Sequence, residues 1–182
     1  MIFLIIFKVT EQDFTESLSK AEIERKDLPR LLIDKLAKSG KKIATAESCT
    51  GGLISKLITD CDGASSVFDC GVCSYANFIK ENVLGVNPDT IRAFGAVSAE
   101  CAKEMAEGVR KLSNADIGIS TTGIAGPSGG TEDKPVGLIY IGIATEAKTD
   151  IIKAEFMSKN GNRDKNRQLA SALALYCAFH SI

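Results

Sequence analysis

Apolar residues recur at two different periods along the chain, which predict short buried strands separated by amphipathic helices. The predicted strands are short, mostly apolar segments at 43–46, 67–75, 115–121, 137–145 and 151–158. The predicted helices, whose apolar positions recur every three or four residues, lie at 29–40, 50–58, 77–84, 88–94, 98–112 and 163–179. Strands alternate with helices early and lie next to one another late. We therefore expect a single-domain, layered α/β/α sandwich with a mixed sheet.

Residues 1–27 precede this pattern, so we divide the chain into an N-terminal extension at 1–27 and a domain at 28–182. Apolar residues at helical spacing within 11–27 predict an amphipathic helix that packs on the rest. The apolar stretch Met1–Phe7 is too short to span a bilayer and lacks the flanking features of a signal peptide. A frayed tail or an added edge strand is expected there.

Composition and charge narrow the function classes. The chain has 182 residues, 45% apolar and 25% charged, the balance of an ordinary globular protein. Its 22 basic and 23 acidic residues give a net charge of −1, so no overall basic field favours a nucleic acid. With no Trp and 6% aromatic residues, stacking platforms for bases are not expected either. We expect no nucleic-acid and no membrane partner.

The cysteines and the single histidine restrict the chemistry further. The six cysteines show no spacing of a secreted framework, so we expect reduced thiols and a cytoplasmic location. Cys70-Gly-Val-Cys73 stands alone without a second pair, so no metal site is predicted. The one histidine, His180, lies two residues before the end of the sequence. A nucleophile in this chain therefore needs activation by lysine, tyrosine or a carboxylate.

The segment Thr45-Ala-Glu-Ser-Cys-Thr-Gly-Gly52 places Ser48 where a strand ends and a helix starts. Backbone N–H groups of Cys49, Thr50 and Gly51 would be unpaired there and could hold an oxyanion or a phosphate. Gly51 and Gly52 let a ligand approach the backbone closely. The alternative is that Ser48 or Thr50 only caps the helix. Cys49 is a second, weaker candidate nucleophile, because no histidine is near to activate it.

Two further segments could complete such a site. In Ser74-Tyr-Ala-Asn-Phe-Ile-Lys80, Tyr75 and Lys80 converge only if the tyrosine ends a strand and the lysine lies one turn into a helix. A half-buried tyrosine and a solvated lysine are the alternative. Arg163 and Arg167 are i, i+4 neighbours on one helix face, so both guanidinium groups could bind the same phosphate. The alternative is that they are two ordinary surface arginines.

The segment 121–135 is a long loop whose four glycines and two prolines follow a strand. A long ordered loop in a compact domain is usually functional. Ile124, Ala125 and the restrictive Pro127 indicate order. The loop is therefore a second candidate, beside the arginines, for holding a phosphate.

Taken in order, these motifs resemble the CinA C-terminal domain family, also known as nicotinamide-nucleotide amidase or PncC. The motifs are A-E-S-C-T-G-G, Tyr75-Ala-Asn77 with Lys80, Leu84-Gly-Val86, Gly95-Ala-Val-Ser98, Gly123-Ile-Ala-Gly-Pro127 with Gly129-Gly130, and Lys134-Pro-Val-Gly137. The resemblance covers roughly residues 28–180. It is to the stand-alone form, without the longer N-terminal CinA domain, and Ser128 stands where Asp is often expected.

The resemblance implies hydrolysis of the carboxamide of nicotinamide mononucleotide to nicotinate mononucleotide and ammonia. It implies a catalytic set of Ser48, Tyr75 and Lys80. Substrate-binding residues are then expected at Cys49, Thr50, Gly51, Gly52, Asn77, Gly123, Ala125, Gly126, Gly129, Gly130, Arg163 and Arg167. No cofactor is implied, the partner is a small pyridine nucleotide, and a homo-oligomer is possible.

Several alternatives stay open at this point. Lys80 is either a neutral base or a cation that lowers the pKa of Tyr75, which then takes the Ser48 proton. The same pocket could bind a pyridine nucleotide or another phosphate ligand without turnover, or hydrolyse a different small amide. If a metal were required after all, Glu47, Asp62 and Asp69 would be its first candidate ligands.

Overall fold

A computed structural model describes residues 6–156 and 162–182 of the chain. Its six strands form one sheet in the spatial order β1-β6-β5-β4-β2-β3. The strands are β1 (Ile6–Thr10), β2 (Ile43–Glu47), β3 (Phe68–Cys73), β4 (Ile117–Gly123), β5 (Leu138–Ala144) and β6 (Thr149–Glu155). Pairs β1–β6, β2–β3 and β2–β4 are parallel, whereas β4–β5 and β5–β6 are antiparallel. The expected mixed sheet is confirmed.

Seven α-helices cover the two faces of this sheet within the described ranges. They are α1 (Glu11–Lys20), α2 (Leu28–Ser39), α3 (Leu53–Thr59), α4 (Asn77–Leu84), α5 (Pro88–Phe94), α6 (Ala99–Ser113) and α7 (Arg163–His180). Helices α1, α2, α3 and α7 share one apolar core, and α4 and α6 share the other. The layered α/β/α sandwich is thus also confirmed. None of these helices combines the length and the apolar character needed to cross a membrane.

Successive side chains along β2 point to opposite faces of the sheet, so one strand contributes to the apolar core on each side. Ile43 packs into the core beneath α2 and α7, whereas Ala44 and Ala46 pack against α6. Helix α6 approaches the sheet so closely that a Cβ on Gly118 would stand 2.2 Å from the carbonyl oxygen of Ala106. Small residues at this contact bring the helix onto the strands that carry the site.

The N-terminal segment is part of the same sheet, so the edge-strand expectation is met in the described part. Strand β1 pairs with β6, with Ile6 opposite Ile151, and it ends at Thr10. The amphipathic helix expected from residue 11 begins directly after it. Helix α1 ends at Lys20 rather than near 27, and Phe14 and Leu18 bury its inner face. The predicted boundary at 27/28 stays a prediction, and residues 1–5 lie outside the described ranges.

Element bounds differ from the predicted ones by a few residues. The strand expected at 67–75 is β3 at Phe68–Cys73, and the strand expected at 115–121 is β4 at Ile117–Gly123. The strand expected at 151–158 is β6, which begins at Thr149 and ends at Glu155; residues 157 and 158 lie outside the described ranges. The largest functional difference is at α3. This helix begins at Leu53 and not at Thr50, because the Glu47 side chain binds its first N–H groups.

Candidate active site

A cavity of about 220 Å³ opens where the carboxyl ends of β2 and β4 lie side by side. It is lined by Ser48, Cys49, Tyr75, Gly123, Ile124, Ala125, Gly126, Ser128, Gly129 and Arg163. The Ser48 N–H donates to the carbonyl of Thr121 at 2.9 Å, which extends the ladder between the two strands by one residue. Ser48 is therefore held rigidly at the sheet edge, as expected of a group that must point at a ligand.

The buried Glu47 carboxylate shapes the turn that follows Ser48. Its oxygens accept hydrogen bonds from the N–H groups of Gly52, Ile54 and Ser55 at 2.8–3.0 Å. This side chain therefore caps α3 and delays its start to Leu53, which corrects the expected start at Thr50. Gly52 has φ +93°, a left-handed value that favours glycine, just before the helix.

Because Glu47 accepts these hydrogen bonds, the first N–H groups of α3 are not available to a ligand, whereas the sequence had predicted unpaired N–H groups for a helix start at this position. The N–H groups of Cys49, Thr50 and Gly51, however, donate to no backbone carbonyl in the described part of the chain, and those of Cys49 and Thr50 contact only the Cys49 thiol, a weak acceptor. Of these, Cys49 lines the cavity together with Ser48. The free donors of the turn therefore lie before α3 and are not those of the helix itself.

Lys80 reaches Ser48 from the first turn of α4. Its Nζ lies 3.1 Å from Ser48 Oγ, 2.6 Å from the carbonyl oxygen of Ser74 and 3.3 Å from that of Tyr75. The side chain is 1% exposed, so the alternative of a solvated lysine is wrong. Within the described ranges no carboxylate forms an ion pair with Lys80.

Burial lowers the pKa of Lys80, while the nearby thiols of Cys101 and Cys49 act in the opposite direction. The two carbonyls can only accept hydrogen bonds, so they orient two of the amine hydrogens. The third position on the nitrogen donates a hydrogen to Ser48 Oγ in the ammonium form and would be a lone pair in the neutral amine. The geometry therefore suits a lysine that accepts the serine proton.

Cys49 lies in the cavity wall but is a poor nucleophile. It is 5% exposed, and burial raises the pKa of its thiol to about 12. Because the thiolate is the reactive form, the thiol is inert near neutral pH. Next to it, the Thr50 hydroxyl is buried and hydrogen-bonded to that of Thr121 at 2.7 Å. Both side chains thus serve the packing of the turn.

Tyr75 lines the cavity, and its hydroxyl forms no hydrogen bond with Ser48 or Lys80. The side chain is 68% exposed, and its hydroxyl accepts a hydrogen bond of 3.4 Å from Arg163. Its contact with Lys80 runs through the backbone carbonyl. The structure therefore brings two of the three expected catalytic side chains together, and the role of Tyr75 stays a prediction.

Helix α7 supports both walls of the cavity through three polar side chains. The hydrogen bonds run from Arg163 Nη1 to the Gly126 carbonyl at 2.9 Å, from Asn166 Nδ2 to the Ala125 carbonyl at 3.0 Å and from Arg167 Nε to the Thr50 carbonyl at 2.9 Å. Arg163 lines the cavity, whereas Arg167 holds the Ser48 turn from behind. The expected pair of arginines is therefore split between a ligand-facing and a supporting position.

The remaining predicted binding residues divide in the same way. Gly123, Ala125, Gly126 and Gly129 line the cavity, as the loop motif led us to expect. Residues of the predicted set outside the cavity lining are Thr50, Gly51, Gly52, Asn77, Gly130 and Arg167. Asn77 is exposed at the start of α4. Asn166 was not identified as a site residue from the sequence, because no motif distinguishes an asparagine buried on an amphipathic helix from one at the surface.

Two of the three carboxylates that would be the first metal candidates, Glu47 and Asp69, are engaged elsewhere. Glu47 accepts four hydrogen bonds from the α3 region, and Asp69 forms an exposed ion pair with Lys42. Within residues 6–156 and 162–182, His, Cys, Asp and Glu side chains form no group of three or more suited to a metal ion.

A larger cavity, of about 690 Å³, lies at the opposite end of β4, between β1, α1 and α7. Its lining mixes apolar side chains with polar and charged ones such as Asp116, Asp150 and His180, and its two serines, Ser17 and Ser181, donate to backbone carbonyls of their own helix or cap. Chemically active groups converge instead at the smaller cavity, where Lys80 contacts Ser48. We therefore place the candidate active site there, despite its smaller volume.

Comparison with known proteins identifies the family that the sequence motifs resemble. The model of the CinA C-terminal domain matches residues 25–182. A CinA-like protein of Syntrophomonas wolfei is 51% identical over 140 residues, which are 77% of this chain and 33% of that protein. The chain spans about a third of the length of the curated relatives that it matches.

Solved structures show the same likeness over nearly their whole length. The competence/damage inducible protein CihA from Agrobacterium tumefaciens superposes with a TM-score of 0.81 at 36% identity, covering 84% of this chain and 92% of that one. The competence damage-inducible protein A of Klebsiella pneumoniae gives the same TM-score at 29% identity, over 86% and 96%. This chain belongs to the CinA C-terminal domain family.

Proposed function

We propose that this chain hydrolyses the carboxamide of nicotinamide mononucleotide, with Ser48 as nucleophile and neutral Lys80 as its base. The observation that carries the proposal is the 3.1 Å contact between Lys80 Nζ and Ser48 Oγ. A lysine 1% exposed and without a carboxylate partner among the described residues is costly unless it is neutral. A neutral amine beside a hydroxyl is the arrangement that general-base activation requires.

The chemical steps follow from that contact. Lys80 takes the hydroxyl proton as Ser48 Oγ forms a bond to the carboxamide carbon, which gives a tetrahedral oxyanion. The protonated lysine then gives this proton to the amide nitrogen as the C–N bond breaks, and ammonia leaves. Water, deprotonated by the same amine, attacks the resulting ester, and the proton returns to Ser48 as nicotinate mononucleotide departs.

The pyridine-nucleotide substrate is supported by the family resemblance and by the shape of the cavity. Its 220 Å³ suits a carboxamide ring more than a whole nucleotide, so the phosphate would lie towards the open mouth. Arg163 stands at that mouth beside Tyr75 and the glycine loop. A guanidinium with an exposed face is a suitable partner for a phosphate.

A binding module without turnover is the main alternative. Phosphate-binding features serve either role. Binding alone, however, gives no reason to bury a lysine against a serine hydroxyl, since a polar pocket of this size could be lined by neutral groups. The six cysteines are all free thiols, which fits the cytoplasmic location that we propose for this activity.

The proposal is tested by ammonia release from nicotinamide mononucleotide, compared with nicotinamide and a panel of small amides. Wild type should release ammonia fastest from the nucleotide. In Lys80→Arg the side chain keeps a charge that cannot be removed near neutral pH, so turnover should be lost. Lys56→Arg, on the exposed face of α3, is the matched control and should retain the wild-type rate.

Two results would overturn parts of the proposal. Turnover retained in Lys80→Arg would exclude a neutral-lysine base and favour Tyr75 in that role. Saturable nucleotide binding by wild type without ammonia from any amide in the panel would favour the binding module.

A further inference from the structure

Asn166 is a buried amide with a single polar contact to the candidate site. It lies on α7 with 0% exposure, and its Nδ2 donates to the carbonyl of Ala125 at 3.0 Å. Because a carbonyl only accepts, this bond fixes which end of the amide faces the loop. The Oδ1 atom receives no hydrogen bond from the described residues. Burying a half-satisfied amide costs free energy, which points to a role in holding the loop.

The bond to Asn166 determines where the next N–H group points. In a trans peptide the carbonyl and the N–H of the same unit point in opposite directions. The Ala125 carbonyl is turned inward, towards Asn166, so the N–H of Gly126 is turned outward. Gly126 lines the cavity, and its N–H donates to no acceptor in the described ranges. A free backbone donor therefore faces the space where a ligand would lie.

A second free donor stands on the opposite wall. The N–H of Cys49, the residue after Ser48, donates to no oxygen among the residues that the structure describes, and its contact is with its own thiol, a weak acceptor; Cys49 lines the same cavity. Two such donors, one from each wall, are the usual composition of a site that stabilises a tetrahedral oxyanion.

We propose that the N–H groups of Cys49 and Gly126 form the oxyanion hole of this site, and that Asn166 is the positioning residue that aims Gly126. The inference rests on the proposed attack by Ser48. Asn166 touches no reacting atom. It acts by fixing the peptide plane between Ala125 and Gly126, so its loss should affect the transition state and leave substrate binding nearly unchanged.

The test compares Asn166→Ala with Leu169→Ala. Leu169 is buried on the same helix, but its hydrocarbon side chain cannot donate a hydrogen bond to a loop carbonyl, so it controls for loss of stability alone. Asn166→Ala should lower kcat by roughly 10²-fold and leave KM within about threefold. Leu169→Ala should lower the melting temperature more and change kcat by less than about threefold. If Asn166→Ala does not fold, Asn166→Ser, whose hydroxyl is too short to reach Ala125, replaces it.

A second readout separates this inference from the identity of the substrate. The probe 3-pyridylboronic acid forms a tetrahedral adduct on a reactive serine, so its affinity reports on the oxyanion hole without any turnover. Its inhibition or binding constant should weaken by a similar factor in the Asn166 variant and remain unchanged in Leu169→Ala.

The outcomes distinguish the two proposals. Boronate binding that depends on Asn166, without ammonia release from the nucleotide, would refute the substrate and support the oxyanion hole. A folded Asn166→Ala with kcat and boronate affinity equal to those of Leu169→Ala would refute the positioning role. Absence of both turnover and boronate binding in wild type would overturn both proposals.

Discussion

Glu47→Gln is the substitution that tests most sharply how this sequence builds the turn around Ser48. The change keeps the shape of the side chain but replaces one carboxylate oxygen with an amide NH2. Each Glu47 oxygen accepts two hydrogen bonds: Oε2 from the N–H groups of Gly52 and Ile54, and Oε1 from the N–H and hydroxyl of Ser55. Whichever oxygen is replaced, two donors then face a donor.

The expected loss follows from that count. A buried donor left without an acceptor costs about 1–3 kcal/mol, and the bonds that remain lose their charge assistance. The Ser55 hydroxyl can turn to Thr45 Oγ1, 2.7 Å away, which reduces the cost in one of the two orientations. We therefore expect Glu47→Gln to lower the free energy of unfolding by about 2–4 kcal/mol.

In urea denaturation this loss of stability should lower the urea concentration at the unfolding midpoint and leave the m-value unchanged. Glu132→Gln, in the exposed part of the glycine loop, is the matched control and should change stability by less than about 0.5 kcal/mol. A Glu47→Gln protein as stable as this control would refute the account of the turn. Ammonia release should also fall in Glu47→Gln, because the turn that presents Ser48 loses its cap.

Three further outcomes are expected. The pKa of Lys80 is lowered in the fold, so below the usual lysine pKa the unfolded chain binds more protons. The free energy of unfolding should therefore rise as the pH approaches the usual lysine pKa from below, and more steeply in wild type than in Lys80→Met. The value of kcat/KM should rise with pH over the same range. Parallel pH profiles of stability in the two proteins would contradict this. Gly118→Ala places a Cβ 2.2 Å from the Ala106 carbonyl and should destabilise by about 1–3 kcal/mol in thermal unfolding, and a neutral effect would contradict the close packing of α6. Turnover should survive EDTA, whereas loss that a divalent ion restores would point to Glu47, Asp62 and Asp69 as ligands.

The fold was largely predictable because its signals are local and periodic. The apolar spacing in α6, from Ala102 to Val109, and the buried runs of β4 and β5 each identify their element without tertiary information. Element ends were less predictable because they depend on contacts across the fold. The start of α3 is set by the Glu47 side chain, and the sequence around Thr50 carries no sign of that reach.

The site was predictable only in part, for a similar reason. A solvated side chain was the alternative for Lys80 because most lysines are solvated, and only the family resemblance placed Lys80 with Ser48 in one catalytic set. The supporting role of Arg167 and the buried position of Asn166 depend on how α7 packs behind two loops that are distant in sequence. Pairings of that kind leave no periodic signal in a single sequence.

Ser48→Ala tests the central claim most directly when ammonia release, nucleotide affinity and melting temperature are measured on one preparation. If Ser48 attacks the carboxamide, the variant should fold, bind nicotinamide mononucleotide and release almost no ammonia, because no other atom can form the covalent bond. If the Ser48 hydroxyl served only as the hydrogen-bond partner of Lys80, its loss would cost about 1–3 kcal/mol of stability and change turnover little. A folded Ser48→Ala protein with a near wild-type rate would contradict the account and move the search to Cys49.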